Sequence, residues 1–298
     1  MRVFITGASG WIGSASAAAI IADGHEVTGL ARSDESAARL TAAGITPHRG
    51  SLDDLDSLRS GAEAADGVVH LGFNHDFSNM PAAWRTERSV VELYGDVLAG
   101  SDRPLVMASG LAGLVQGRAA TEDDVNPNVG AESMRGGGER LALSFAERGV
   151  RSIAVRFAPT VHGEGDYGFT AELARIAVAT GVAGYIGEGA NGWSAVNRAD
   201  AAALVATALQ TAPAGSVVHA VGEQSVTTRA IAEALGASLG VPVVSIAPED
   251  AAAHFGWIAR FFGADATASS DLTQQRLGWT PTHQGLLADI AAGYYPGR

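Results

Sequence analysis

Thr6-Gly7-Ala8-Ser9-Gly10-Trp11-Ile12-Gly13 is the stretch on which the reading of this chain turns. It continues the apolar run Arg2-Val3-Phe4-Ile5-Thr6, whose length and composition predict a strand, and it opens a helical pattern over 11–22. Glycine at 7 permits a tight turn, at 10 lets backbone approach a pyrophosphate, and at 13 lets helix and strand pack closely. The helix N-terminus then offers free N–H groups and the positive end of its dipole to phosphate. Glycine pairs end many strands for steric reasons alone. Here strand, glycines and helix follow one another in the order of a dinucleotide-binding βαβ unit, so Gly7, Ser9, Gly10, Trp11, Ile12 and Gly13 are expected to hold a cofactor.

Working outward, apolar runs at 26–30, 46–48, 67–71, 104–108 and 152–157 read as strands. Helical patterns over 35–43, 55–64, 81–98 and 132–148 separate them. Strands apolar on both faces and separated by helices predict a parallel sheet covered on both sides, an α/β doubly wound (Rossmann) fold. The regularity fades after 163. Glycine-rich segments at 163–168 and 187–192 surround a helix near 170–180, and 199–209 and 216–221 supply one more helix and strand. Helices over 227–239 and 248–255 lie in the tail. The expected division is a dinucleotide-binding domain of 1–162 plus about 196–222, and a smaller substrate lobe of about 163–195 plus 223–298.

Composition narrows the chemistry. All 20 basic residues are arginine, against 32 acidic ones, for a net charge of −12; lysine and cysteine are both missing. No lysine means no Schiff base and no phosphate-loop lysine. No cysteine means no disulfide, no thiolate nucleophile and no Cys-ligated metal. The acidic balance without a basic run argues against a nucleic-acid partner. The chain starts straight into its first strand, so no leader and no membrane span are expected, and the cytoplasm is the default location. The histidines at 25, 48, 70, 75, 162, 219, 254 and 283 are scattered with no metal-binding spacing, so no metal site is expected.

The second strand ends at Arg32-Ser33, where the ribose of a bound dinucleotide would lie. An acidic residue there would bond a 2′-hydroxyl, whereas arginine favours a 2′-phosphate, so NADP(H) is the expected cofactor, with NAD(H) the alternative. The competing reading is a solvated arginine paired with Asp34 or Glu35. Ser51, Leu52 and Gly72, after the third and fourth strands, are expected to flank the adenine; an ordinary polar turn explains them equally well.

These residues resemble the extended and atypical short-chain dehydrogenase/reductases, relatives of the NAD-dependent epimerase/dehydratases. The resemblance rests on Thr6–Gly13, Val68-Val69-His70-Leu71, Arg156 through Val161-His162-Gly163, Trp193–Asp200 and Leu277-Gly278-Trp279-Thr280-Pro281. It covers nearly the whole chain. It implies a Rossmann domain with a small C-terminal lobe, and activities that include carbonyl reduction, epimerisation and dehydration. It also implies that Arg135 and Pro159 join the cofactor-binding set, and that the helix over 81–98 could mediate a homodimer.

The same resemblance exposes a departure. The family's catalytic set is a Ser or Thr after the fifth strand and a Tyr with a Lys four residues later. Aligning Glu139 with the glutamate that often follows that lysine puts Arg135 at the lysine position and Ala131 at the tyrosine position. No tyrosine lies between Tyr94 and Tyr167, so no shift recovers one. The serine position falls on Ser109 or Gly110. Arg135 could hold the nicotinamide ribose but cannot act as an acid, because guanidinium does not deprotonate in proteins. The plainer alternative is an i,i+4 ion pair of Arg135 with Glu139 on a solvated helix face. Gly136-Gly137-Gly138 would each cost roughly 1 kcal/mol within that helix relative to alanine.

A hydride delivered to a carbonyl leaves an alkoxide that needs a proton. His162, just past the sixth strand, is the first candidate donor, Tyr167 the second and a bound water the third; His162 could instead simply bond its own loop. Ser109 could bond the substrate oxygen or merely satisfy backbone. Trp193, Asn197, Phe255 and Trp257 could line the pocket or belong to the core. The leading reading is an NADP(H)-dependent reductase of a small-molecule aldehyde or ketone. A dinucleotide-sensing protein without turnover, and a sugar epimerase or dehydratase with bound NAD, are the alternatives.

Overall fold

The computed structural model describes residues 1–74 and 79–297. Its strands in chain order are β1 (Arg2–Thr6), β2 (Glu26–Ala31), β3 (Thr46–Arg49), β4 (Gly67–His70), β5 (Pro104–Gly110) and β6 (Arg151–Phe157). They continue as β7 (Thr160–His162), β8 (Ala183–Ile186), β9 (Gly192–Asn197), β10 (Ser216–Ala220), β11 (Glu223–Thr227) and β12 (Val243–Ile246). A seven-stranded sheet has the order β10-β6-β5-β4-β1-β2-β3. Within it β1 runs parallel to β2 and β4, β2 to β3, and β4 to β5. Helices Trp11–Ala22, Asp34–Ala42, Leu55–Glu63 and Met80–Leu98 connect these strands, which makes the doubly wound α/β fold. The strand order reverses between β1 and β4, and in such sheets ligands bind at the carboxyl ends of the strands flanking that point.

The chain divides into two compact units, the first comprising Met1–Ser109, Val125–Val155 and Ala202–Val218, the second Gly110–Asp124, Arg156–Ala201 and His219–Arg298. The boundaries differ from the expected division chiefly at 110–124 and 156–162, which fall in the second unit. The reason for the first of these is local pairing. Ala120 donates to the Thr267 carbonyl at 2.9 Å, and the buried Glu122 carboxylate accepts from the backbone and hydroxyl of Thr273, both at 2.6 Å.

In the first unit, Phe4, Leu58, Val68, Val90, Tyr94, Leu98 and Leu105 form one apolar cluster between sheet and helices. The helix Met80–Leu98 turns Ala83, Val90, Val91, Tyr94 and Leu98 inward at helical spacing. In the second unit, β11-β9-β7 make a three-stranded sheet and β12-β8 a parallel pair. Trp193, Ile231, Leu235, Phe255, Phe262, Leu286 and Ile290 fill its core. Trp193 and Phe255 are therefore core residues, whereas Trp257 is 48% exposed.

The continuous helix expected over 132–148 is not formed. A 3-10 turn over Met134–Gly137 precedes a short α-helix, Gly138–Ser144, and a second 3-10 turn, Phe145–Arg148. Arg135, Gly136 and Gly137 have φ of 54°, 60° and 64°, three consecutive residues in the left-handed region. A side chain at 136 would place its Cβ 2.5 Å from the Trp84 carbonyl oxygen, so glycine is required there for space as well as for backbone angle. Among the described residues no helix is long and apolar enough to cross a membrane.

Candidate active site

The glycine loop is built for close approach. Gly7 has φ +74° and its carbonyl accepts from the Gly10 N–H at 2.9 Å, closing the turn. A Cβ on Gly13 would lie 2.0 Å from the Gly7 oxygen, and one on Gly7 would lie 2.8 Å from the Gly72 nitrogen. Gly72 donates in turn to the Thr6 hydroxyl at 3.1 Å, so the ends of β1 and β4 meet backbone to backbone. Gly10 is the N-cap of the helix Trp11–Ala22 and has no side chain of its own to cover the first-turn N–H groups. This cradle of backbone donors fits the pyrophosphate of a dinucleotide.

At the end of β2, a cleft of about 520 Å³ is lined by Arg32, Ser33, Arg49, Gly50, Ser51 and Asp54 among others. The charges beside it sort themselves without Arg32. Asp34 pairs with Arg49, and Glu35 with Arg39 at 3.0 Å. Arg32 is exposed and has no partner among the described residues, which removes the expectation that Asp34 or Glu35 neutralises it. Ser33 caps the helix Asp34–Ala42, accepting from the Ser36 N–H, and the Ser51 hydroxyl accepts from Asp53 at 3.3 Å. Leu52 packs against the core cluster.

A buried polar chain runs from the glycine strand to Arg135. The Thr6 hydroxyl accepts from Gly72 and shares a hydrogen bond with His70 Nδ1 at 2.7 Å, while His70 Nε2 faces Glu87 Oε2 at 3.3 Å. Glu87 Oε1 accepts from Arg135 Nη2 at 2.6 Å, and the Arg135 guanidinium lies 4.6 Å from the centroid of the Phe73 ring. Burial alone would push the Glu87 carboxyl up, but Arg135 and His70 outweigh it and hold the carboxyl below the ordinary range. Burial drives the adjacent Tyr94 hydroxyl strongly upward. Arg135 sits at φ 54°, a conformation costing about 1–2 kcal/mol for a non-glycine residue. Its Nε is buried without a partner.

Arg135 therefore pairs with Glu87 rather than Glu139, which corrects the i,i+4 pairing considered from the sequence. Glu139 is 4% exposed, and its Oε2 accepts from the Ser109 hydroxyl at 2.5 Å and from Asn126 at 2.9 Å. Ser109, at the end of β5, has thus committed its proton and keeps only acceptor capacity. Glu87 was not foreseen. Its signal was an acidic residue in the apolar stripe 83, 87, 90, 94, 98.

In the second unit, Pro159 is half-buried between β6 and β7. His162, 1% exposed, faces Asp289 Oδ2 through Nδ1 at 2.5 Å and Glu223 Oε2 through Nε2 at 3.8 Å. Both ring nitrogens are turned to carboxylates, so the imidazole anchors the helix Leu286–Ala291 to β7. Tyr167 is 71% exposed on the segment before the helix Phe169–Thr180 and lies within electrostatic reach of Arg198. Beneath that segment, Asp166 accepts from the Gly168 N–H at 2.7 Å and the Tyr295 hydroxyl at 2.9 Å. Among the described residues no group of His, Cys, Asp or Glu is arranged to hold a metal; His75 lies outside them.

A family model, the NAD dependent epimerase/dehydratase family, matches residues 3–103. An uncharacterized protein of Schizosaccharomyces pombe is 46% identical over 296 residues, covering 99% of this chain and 100% of its own. An uncharacterized protein of Saccharomyces cerevisiae is 43% identical over 298 residues, covering 99% of each. Among solved structures, a dTDP-glucose 4,6-dehydratase of Streptomyces venezuelae with NAD bound superposes with a TM-score of 0.77 at 19% identity, over 99% of this chain and 96% of its own. Residues 3–103 belong to the NAD dependent epimerase/dehydratase family, and over its whole length the chain is related to the two fungal proteins.

Proposed function

We propose that this protein is an NADP(H)-dependent oxidoreductase that transfers hydride between nicotinamide and the carbonyl carbon of a small aldehyde or ketone. The observation that carries the reading is Arg32. Its sequence neighbours Asp34 and Glu35 are paired with Arg49 and Arg39, and Arg32 stands exposed on a cleft of about 520 Å³ at the end of the second strand. An unpaired guanidinium beside the Ser33 and Ser51 hydroxyls suits a ribose 2′-phosphate, which it can bind through charge-assisted bonds. The glycine loop would hold the pyrophosphate, and Gly72 with Leu52 would flank the adenine.

The nicotinamide supplies the hydride when bound. This chain's own part is to hold the dinucleotide and to deliver a proton to the alkoxide. His162 is poorly suited to that second task, because both its nitrogens face carboxylates inside the second unit. Tyr167 is exposed and carries a transferable proton, so it is the donor in this reading. Arg135 takes the binding half of the work done by the family's lysine. The resemblance to epimerases and dehydratases leaves sugar chemistry as an alternative, but no tyrosine stands at position 131 to perform it.

Purified protein incubated with NADPH or NADH and a panel of aldehydes and ketones tests the reading, with nicotinamide absorbance as the readout. Consumption of NADPH in preference to NADH, reduced on the order of 10²-fold in Tyr167→Phe, is the expected result. Tight NADPH binding with no turnover across the panel would sink the enzymatic reading. It would favour a dinucleotide-sensing protein, a second reading that draws support from the commitment of the Ser109 proton to Glu139.

A further inference from the structure

Arg135 is held in an unusual way. It stands where the family carries its lysine, but no helix presents it: the backbone is left-handed from 135 to 137. A non-glycine residue persists in that conformation only where its surroundings over-determine it, and such outliers concentrate at functional sites. Two contacts do this here. Glu87 Oε1 accepts from Nη2 at 2.6 Å, and Phe73 lies under the guanidinium at 4.6 Å.

Both contacts lead back to the dinucleotide loop. Phe73 directly follows Gly72, whose N–H bonds the Thr6 hydroxyl. Glu87 faces His70, which bonds the same hydroxyl, and Thr6 directly precedes Gly7. A buried carboxylate on a helix stripe otherwise filled by Ala83, Val90, Val91, Tyr94 and Leu98 is costly, and it is retained here with one cation and one imidazole as its partners. The guanidinium meanwhile keeps a buried Nε that nothing among the described residues satisfies.

We propose that Glu87 is the positioning residue for Arg135, tying its guanidinium to the strand that carries the glycine loop so that the arginine's remaining donors are presented to the ribose of a bound dinucleotide. This rests on the dinucleotide-binding part of the reading above. Glu87 touches no ligand itself; it acts through Arg135.

The test is a double-mutant cycle on NADPH affinity, measured by calorimetry, with thermal melting of each protein as the control. The four proteins are the natural chain, Glu87→Gln, Arg135→Met and the double variant. Arg135→Met is expected to weaken NADPH binding about tenfold, the loss of one hydrogen bond from a charged donor. Glu87→Gln should weaken it by a similar factor in the natural background, and by less than about twofold where Arg135 is already Met. A residue with a purely structural role would instead lower both melting temperature and affinity in both backgrounds, and that result would overturn the proposal. So would Glu87→Gln binding NADPH as tightly as the natural chain. Should Glu87→Gln fail to fold, Glu87→Asp in the same two backgrounds carries the cycle, because it keeps the charge and only withdraws it from Arg135. If the natural chain binds neither NADPH nor NADH, the dinucleotide reading fails and takes the proposal with it. If it binds and Arg135→Met binds equally well, only the proposal fails.

Discussion

The imidazole of His162 and the carboxylate of Asp289, 127 positions apart in the chain, meet at 2.5 Å inside the second unit. Neither side chain is more than 1% exposed. Removing the imidazole would leave Asp289 as a buried carboxylate with only Gln284, among the described residues, to satisfy it. His162→Ala is therefore expected to cost about 3–5 kcal/mol of stability, read by urea denaturation. A His162→Ala protein as stable as the natural one, yet unable to turn over substrate, would restore the proton-donor role for His162.

In the proposed reading, Arg32 sets the choice between cofactors. Arg32→Ser is expected to weaken NADPH binding by roughly 10–100-fold, the equivalent of about 1.5–3 kcal/mol for a hydrogen bond to a charged group. NADH affinity should stay within about twofold, since NADH carries no 2′-phosphate. Equal losses for the two dinucleotides, measured by fluorescence titration, would show that Arg32 does not read the 2′ position.

Gly13 tolerates no side chain. A Cβ there would meet the Gly7 carbonyl oxygen at 2.0 Å, which is backbone and has no rotamer to yield. Gly13→Ala is expected to lose about 1–3 kcal/mol of stability, as overpacked sites do, and to lose dinucleotide binding with it. Calorimetric titration of the refolded variant checks both.

How much of this was legible beforehand follows from the range of each interaction. The glycine loop and the strand–helix alternation to about residue 110 are local patterns, and β1 and the helix after it fall where the sequence put them. The short strands β7, β8, β9, β11 and β12 were missed, because three- to six-residue pieces in glycine-rich surroundings are defined by pairing across long separations, as between Val243 and Ala183. The helix over 132–148 was over-read, since periodicity does not report that Gly136 must clear the Trp84 carbonyl. Glu87 and Asp289 were invisible as partners, because nothing local ties either to Arg135 or His162. Arg32 was legible as a residue, but only the structure shows which arginines its acidic neighbours chose.

Tyr167→Phe separates chemistry from folding. The residue is 71% exposed, so its stability is expected to change by less than about 0.5 kcal/mol. Turnover with NADPH and a responsive carbonyl should fall on the order of 10²-fold, the usual contribution of a positioned acid. An unchanged rate would hand the proton transfer to water.

Asp166 predicts a pH trend opposite to the usual carboxylate. Burial raises its pKa above the ordinary value of 3.8, partly offset by the Gly168 N–H and the Tyr295 hydroxyl. The folded state therefore holds a proton that the unfolded chain has released. Its contribution is complete below pH 3.8 and is lost as pH rises through the raised folded value. Asp166→Asn removes this dependence, so the variant should gain melting temperature relative to the natural protein as pH rises from 3.8 through the raised folded value, then run parallel to it. A constant difference across that window would mean the group titrates alike in both states.

The left-handed run at Arg135, Gly136 and Gly137 also bears on ancestry and engineering. A Tyr-x-x-x-Lys pair works because one right-handed helical turn brings residues four apart onto the same side. Here residues 131–133 form a turn and a bend and the left-handed run begins at 135, so writing tyrosine at 131 and lysine at 135 would restore the letters of the motif without the helical turn that aligns them. Backbone shape between Gly130 and Gly138, and not residue identity alone, keeps such a pair out, so that stretch would have to be rebuilt before either side chain could be of use.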